Sequence, residues 1–146
     1  MSKSKCIKLG IDIDSDSKVP KIKQNPESYF NKSPSWCFSK SDNDYEKWSI
    51  LQADFFNDIL PKLVSFEQRK WSDIISDKKH NHWIKCEDFS KEAQNRINAI
   101  PQSFDSLFSL RLTSTFRLFG FIEEGIYYII WVDKNHEVCP SNLRNT

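Results

Sequence analysis

The sequence predicts an α+β domain in which helices pack on one face of a small antiparallel sheet ending in a three-stranded meander. Three observations carry this. Residues 107–113, 116–122 and 126–132 are β-type runs separated only by Ser114-Thr115 and by Glu123-Glu124-Gly125, and Gly in so short a loop is a hairpin signal. Ahead of them, Trp48, Leu51, Phe55, Ile59 and Leu63 recur at steps of three and four, the spacing of one helical face. Helical segments followed by a run of strands is the order of an α+β fold.

Each element has its own local reasons. Residues 1–33 are rich in Ser, Lys, Asp, Asn and Pro and read as an N-terminal tail ahead of a single domain at 34–146. Within the tail, Ile7, Leu9, Ile11 and Ile13 alternate with polar or small residues, a period of two that fits one edge strand. Residues 35–40 alternate again, with Trp36 and Phe38 on one face. Asp42 or Asp44 can cap the helix that follows. Pro61 lacks a backbone donor and predicts a kink, or a break into a second helix running to about Ile75. Residues 80–86 read as a short strand or an irregular link. Ser90 caps a third helix, with Glu92 at its positive end and Pro101 as its stop. The last run, 126–132, is apolar on both faces and is expected to lie inside the sheet. The expected core contains Trp36, Phe38, Leu51 and Phe55 from the first half and Leu107, Leu118, Ile129 and Trp131 from the second.

Composition bounds the function. The 146 residues include eleven Phe, five Trp and four Tyr, enough large side chains for one core without a metal or cofactor. A net charge of +1 argues against a general attraction to nucleic acid or to an anionic membrane surface. Residues 1–23 are the exception, with six Lys against three Asp. No apolar run approaches the ~20 residues of a membrane span. The four cysteines, Cys6, Cys37, Cys86 and Cys139, make no C-x-x-C pair. With no leader pattern, they are expected as reduced thiols in a cytoplasmic protein.

Several motifs carry possible chemistry. D-I-D-S-D-S-K at 12–18 opens like a calcium loop but continues with Ser17 and Lys23 where Gly and Glu belong, so it reads as a solvated strand edge. His80, His82 and His136, with Asp133 or Cys139, have ligand chemistry, but nothing in their spacing joins them and no metal is expected. Arg111 and Arg117 fall on neighbouring strands, where two guanidinium groups can hold phosphate oxygens. D-K-N-H-E-V-C-P at 133–140 places His136 on the rim of the sheet. Histidine suits proton transfer near neutral pH, and Asp133 is the candidate to orient its ring. The structural alternative is a turn closed by Asp133 and Asn135.

The run R-L-F-G-F-I-E-E-G-I-Y-Y-I-I-W-V-D-K-N-H-E-V-C-P (117–140) resembles the C-terminal signature of an uncharacterised family of small bacterial and phage proteins. V-P-K-I-K-Q-N-P (19–26) is similar to the start of the same family. Cys139 stands where that family usually has Tyr. The element order also resembles that of the RelE/HigB toxin superfamily, whose members cleave messenger RNA, usually on the ribosome. That resemblance implies Arg111, Arg117, Tyr128 and His136 as site residues. Near-zero net charge and a third helix depart from the superfamily's pattern.

Two functions are therefore expected. The first is toxin-type, metal-independent RNA cleavage with His136 as general acid or base and Lys85 or Tyr128 as second proton carrier. Arg111 and Arg117 would face the charge developing on phosphorus. Its mark is a basic cleft. The second is a non-enzymatic binding module from a phage or mobile element, whose mark is an exposed apolar patch. A protein partner (an antitoxin, the ribosome or a host target) is expected in either case, with RNA as substrate in the first.

Overall fold

The computed structural model describes residues 28–140. A five-stranded sheet has the order β1-β5-β4-β3-β2, with β1 Ser35–Cys37, β2 His82–Lys85, β3 Ser106–Arg111, β4 Arg117–Glu123 and β5 Ile126–Asp133. The fold is α+β, and β3, β4 and β5 form the expected meander. β1 runs parallel to β5, and the other pairings are antiparallel. The β4–β5 loop is tighter than expected. It is Glu124-Gly125 alone, and both residues have positive φ, the backbone that matches strand twist in a two-residue hairpin.

β5 lies inside the sheet and is buried from Tyr127 to Asp133. Register shifts by one between Phe119 and Gly120, so Ile130 bulges opposite them. A Cβ on Gly120 would collide with the Tyr128 carbonyl, so only glycine fits this approach.

The helices lie on both faces, which corrects the expectation that they share one. On the first face, α1 (52–66) and α2 (Trp71–Ser76) pack Ile59, Leu63, Phe66, Trp71 and Ile74 against Phe108, Leu110, Leu118, Tyr127 and Ile129. On the second, α3 (Lys91–Asn98) and the 3-10 turns Glu46–Trp48 and Cys86–Asp88 bring Trp48, Phe89, Ala93 and Ile97 onto Leu107, Phe119, Ile130 and Trp131. A meander apolar on both faces needs cover on both. Buried Tyr127 donates its hydroxyl to the Phe108 carbonyl at 2.7 Å. Tyr29 is buried in the first cluster, with Gly125 beside it.

Leu51 and Phe38 are exposed rather than core, and Phe55 and Trp36 are partly buried. For Leu51 and Phe55 the reason lies in α1, where the α-helical turn Gln52–Asp54 passes into a wider π turn at Phe55–Ile59 before Leu60–Phe66 resumes. An added residue in a turn rotates the stripe out of phase. Pro61 sits in the first turn of the resumed segment Leu60–Phe66, directly after the π turn, where a missing backbone donor is well tolerated. Ser90 caps α3 as expected, accepting from the Ala93 amide at 3.2 Å.

Asp42 ties the second face together. It accepts from Arg96 Nε at 2.9 Å and from the Trp131 indole at 3.0 Å. Burial pushes its carboxyl up, but these hydrogen bonds and the Arg96 charge outweigh burial and hold it below the usual carboxylate range. Cys37 is disulfide-bonded, which corrects the expectation of four reduced thiols. Such pairing depends on sulfurs meeting in the fold, which spacing along the chain does not show. No described helix is long and apolar enough to cross a membrane. Of the tail expected at 1–33, residues 1–27, including the calcium-like run and the alternating Ile7–Ile13 stretch, lie outside the described residues.

Candidate functional site

Register brings three of the expected residues to one rung. Arg111 pairs with Arg117, and Arg117 with Asp133, at the end of the sheet where β3 and β5 finish. The β3–β4 turn at this end is held from several sides. Arg111 Nε donates to the Thr113 carbonyl at 3.2 Å, and Arg117 donates to the same carbonyl at 2.8 Å and to Ser114 at 3.3 Å. His136 Nε2 lies 3.2 Å from the Ser114 carbonyl. His136 has φ +59°, a left-handed backbone uncommon for any residue but glycine, so the loop around it holds it there.

Asp133 makes that loop and does not orient the His136 ring. Its buried carboxylate accepts from the amides of Asn135 (3.3 Å), Glu137 (3.0 Å) and Val138 (2.9 Å). The turn closed by Asp133 is thus the structural alternative weighed for this segment. Cys139 is buried with its thiol 3.4 Å from the Asp88 carbonyl, a packed position rather than a nucleophile's.

Beside the same rung is a cavity of about 200 Å³ lined by Lys62, Phe66, Arg69, Asp77, His80, Asn81, Arg111 and Leu112. Its charge is lopsided, with Lys62, Arg69 and Arg111 against Asp77 alone. His80 Nδ1 lies 3.1 and 3.2 Å from the two Asp77 carboxylate oxygens, a contact that fixes the ring. Buried Asn81 braces the floor. Its amide donates to the Ile74 carbonyl at 3.1 Å, and its side-chain oxygen accepts from the Arg111 amide at 3.0 Å.

Tyr128 and Lys85 are not part of this group. Tyr128 pairs with Phe121 near the other end of β5 and stacks on that ring at 4.7 Å. Burial, with Glu123 and Glu124 nearby, pushes its hydroxyl up to about 12. Lys85 pairs with Ser106, the opposite end of β3 from Arg111. The larger cavity there, about 570 Å³, also holds Cys86, Glu87 and Asp105. Two carboxylates beside one lysine repel a polyanion, and burial with Asp105 pushes the Cys86 thiol up to about 12. Size alone therefore does not choose the site.

Sequence reasoning weighed His80 only as a metal ligand and missed Asp77, Lys62 and Arg69. The local signal was D-K-K-H at 77–80, an acid and a histidine three apart at a helix end. Lys62 and Arg69 carried none, because only packing of α1 on the sheet brings them there. Among the described residues, no group of three His, Cys, Asp or Glu could hold a metal.

No curated protein and no solved structure matches the chain. The family model described as uncharacterised protein UU032 matches residues 27–146, which include the whole described domain and the signature at 117–140. The chain belongs to that uncharacterised family.

Proposed function

We propose that the chain is a metal-independent ribonuclease of the toxin type, akin to the RelE/HigB toxins in chemistry, and that it works at the Arg111 cleft. The observation that carries this is the Asp77–His80 pair set into a cavity with three cationic side chains. Arg111, Lys62 and Arg69 bind a backbone phosphate. Asp77 holds His80 Nδ1, which leaves Nε2 to take the proton from a ribose 2′-hydroxyl. The 2′-oxygen attacks phosphorus, the bond from phosphorus to the 5′-oxygen breaks, and that oxygen takes a proton from water. The products are a 2′,3′-cyclic phosphate and a 5′-hydroxyl. Arg111 faces the charge that develops on the phosphoryl oxygens. In this reading His80 takes the role expected of His136, while His136 and Arg117 hold the turn that aims Arg111. The setting is cytoplasmic, with a protein partner such as an antitoxin, the ribosome or a host target.

The test is cleavage of a fluorogenic single-stranded RNA in excess EDTA. His80→Gln should lose ~10²–10⁴-fold in rate, the range for a lost general acid or base, with its melting temperature unchanged. Equal rates for His80→Gln and the unaltered chain, or no cleavage by either, would remove the reading. A second reading, a non-enzymatic protein-binding module, is favoured by the exposed side chains Phe56, Leu60 and Val64 on α1.

A further inference from the structure

The Arg111 cleft has charge for a phosphate but no group set to read a base. A protein that reads single-stranded RNA by sequence stacks the bases on aromatic faces and hydrogen-bonds their edges. Phe66 is the aromatic ring in the wall, and it is buried. The Arg69 guanidinium lies over that ring at 5.8 Å, so the ring offers a base no stacking face.

The neutral hydrogen-bonding groups of the wall are committed to the fold. The buried Asn81 side chain gives its nitrogen to the Ile74 carbonyl and its oxygen to the Arg111 amide. The His80 and Asn81 amides donate to the Asp77 carbonyl at 3.2 and 3.0 Å, and the Leu112 amide donates to the Phe116 carbonyl at 3.0 Å. Both Asp77 carboxylate oxygens face His80 Nδ1. Size points the same way. At about 200 Å³ the cavity is smaller than the roughly 300 Å³ at which sites for drug-sized ligands begin, and a whole nucleotide is a ligand of that class. A phosphate and its sugar fit, and the base stays outside.

Positive charge continues beyond the cavity. Lys78 and Lys79 are exposed in the turn between Asp77 and His80, each one Cα step, about 3.8 Å, from a residue of the wall. The Lys78 amide donates to the Ser76 carbonyl at 2.9 Å, which with the His80 amide holds that turn. A strand running past the cavity would bring its next phosphates to these two lysines.

Resting on the ribonuclease reading of this cleft, we infer that its substrate is RNA held by the sugar–phosphate backbone without regard to base sequence. Lys78 and Lys79 hold the phosphates that flank the cleaved one. Phosphate contacts fix the position of a strand and carry no sequence information.

Fluorescence anisotropy with short 2′-O-methyl strands of one length tests this, because such strands bind and are not cleaved. Strands of uridine alone, of adenosine alone and of uridine interrupted by guanosine should bind with dissociation constants within about fivefold of each other. An abasic strand with the same number of phosphates should fall in the same range. Lys78→Gln combined with Lys79→Gln should weaken every strand alike. It should also lower the slope of log K against log salt by about 1.4, as each single-strand phosphate contact contributes roughly 0.7. A larger preference for one composition overturns the inference, and a preference for the guanosine-bearing strand would show Arg69 or Arg111 reading a base edge. So does an unchanged salt slope in the double variant, or weaker binding of the abasic strand. Sequence-dependent binding removes this inference and leaves the ribonuclease reading standing, whereas failure of every strand to bind removes both.

Discussion

The two ends of the sheet hold similar residue types and differ in what those residues can do together. At the Arg111 end, three cations and a carboxylate-held histidine line one small cavity. At the Lys85 end, the cavity is larger, but Glu87 and Asp105 offset the single lysine, and the nearby tyrosine is buried in a stack. The expected proton carriers Tyr128 and Lys85 thus fall at the opposite end from Arg111. The five steps of strand from Ser106 to Arg111 span about 17 Å, beyond reach of one phosphate. Register, more than residue type, decides which groups form a site.

Substitutions at the two ends should separate sharply. His80→Gln carries the largest expected effect, described above. Arg111→Gln comes next. Removing one donor facing a developing oxyanion costs ~10²–10³ in rate, and the Asn81 contact to the Arg111 amide should keep the fold intact. Cleavage kinetics alongside thermal melts check both. At the other end, Lys85→Gln and Tyr128→Phe should stay within about twofold of the unaltered rate. A tenfold loss at either would shift the site across the sheet. His136→Gln is intermediate and informative. If His136 only supports the turn, KM should rise while kcat holds.

The second face offers a smaller effect, read in stability and not in rate. Asp42→Asn should cost about 1.5–3 kcal/mol in chemical denaturation, because hydrogen bonds to a charged partner are lost. Its folded carboxyl lies below its unfolded value, so its contribution is complete above the unfolded pKa of about 3.9. That contribution is lost as pH falls through the lowered value, and Asp42→Asn should flatten the acid limb of the stability curve.

The meander was legible because its signals are local. Alternation and a Gly-containing loop placed β3, β4 and β5, and the doubly apolar run placed β5 inside the sheet. The first half read less well. Leu51 and Phe55 fit a helical stripe on paper, but the π turn at Phe55–Ile59 shifts the phase and turns Leu51 and Phe56 to solvent. No residue type announces that turn. Adjacent strands put Arg111 and Arg117 on one rung, and the rim loop brings His136 to the turn beside them. Their hydrogen bonds to the 113–114 carbonyls were not legible, nor was His80 as the histidine in the cleft, because both depend on long-range packing.

The account rests on a single open, ligand-binding end of the sheet. Titration of the isotope-labelled full chain with a short single-stranded RNA bearing non-cleavable 2′-O-methyl groups tests this most directly, followed by backbone NMR shifts. The account predicts the largest shifts at Arg69, Asp77, His80, Asn81 and Arg111, with Lys85, Asp105 and Tyr128 unmoved. Shifts concentrated around Lys85 and Asp105, or none at saturating RNA, would contradict it.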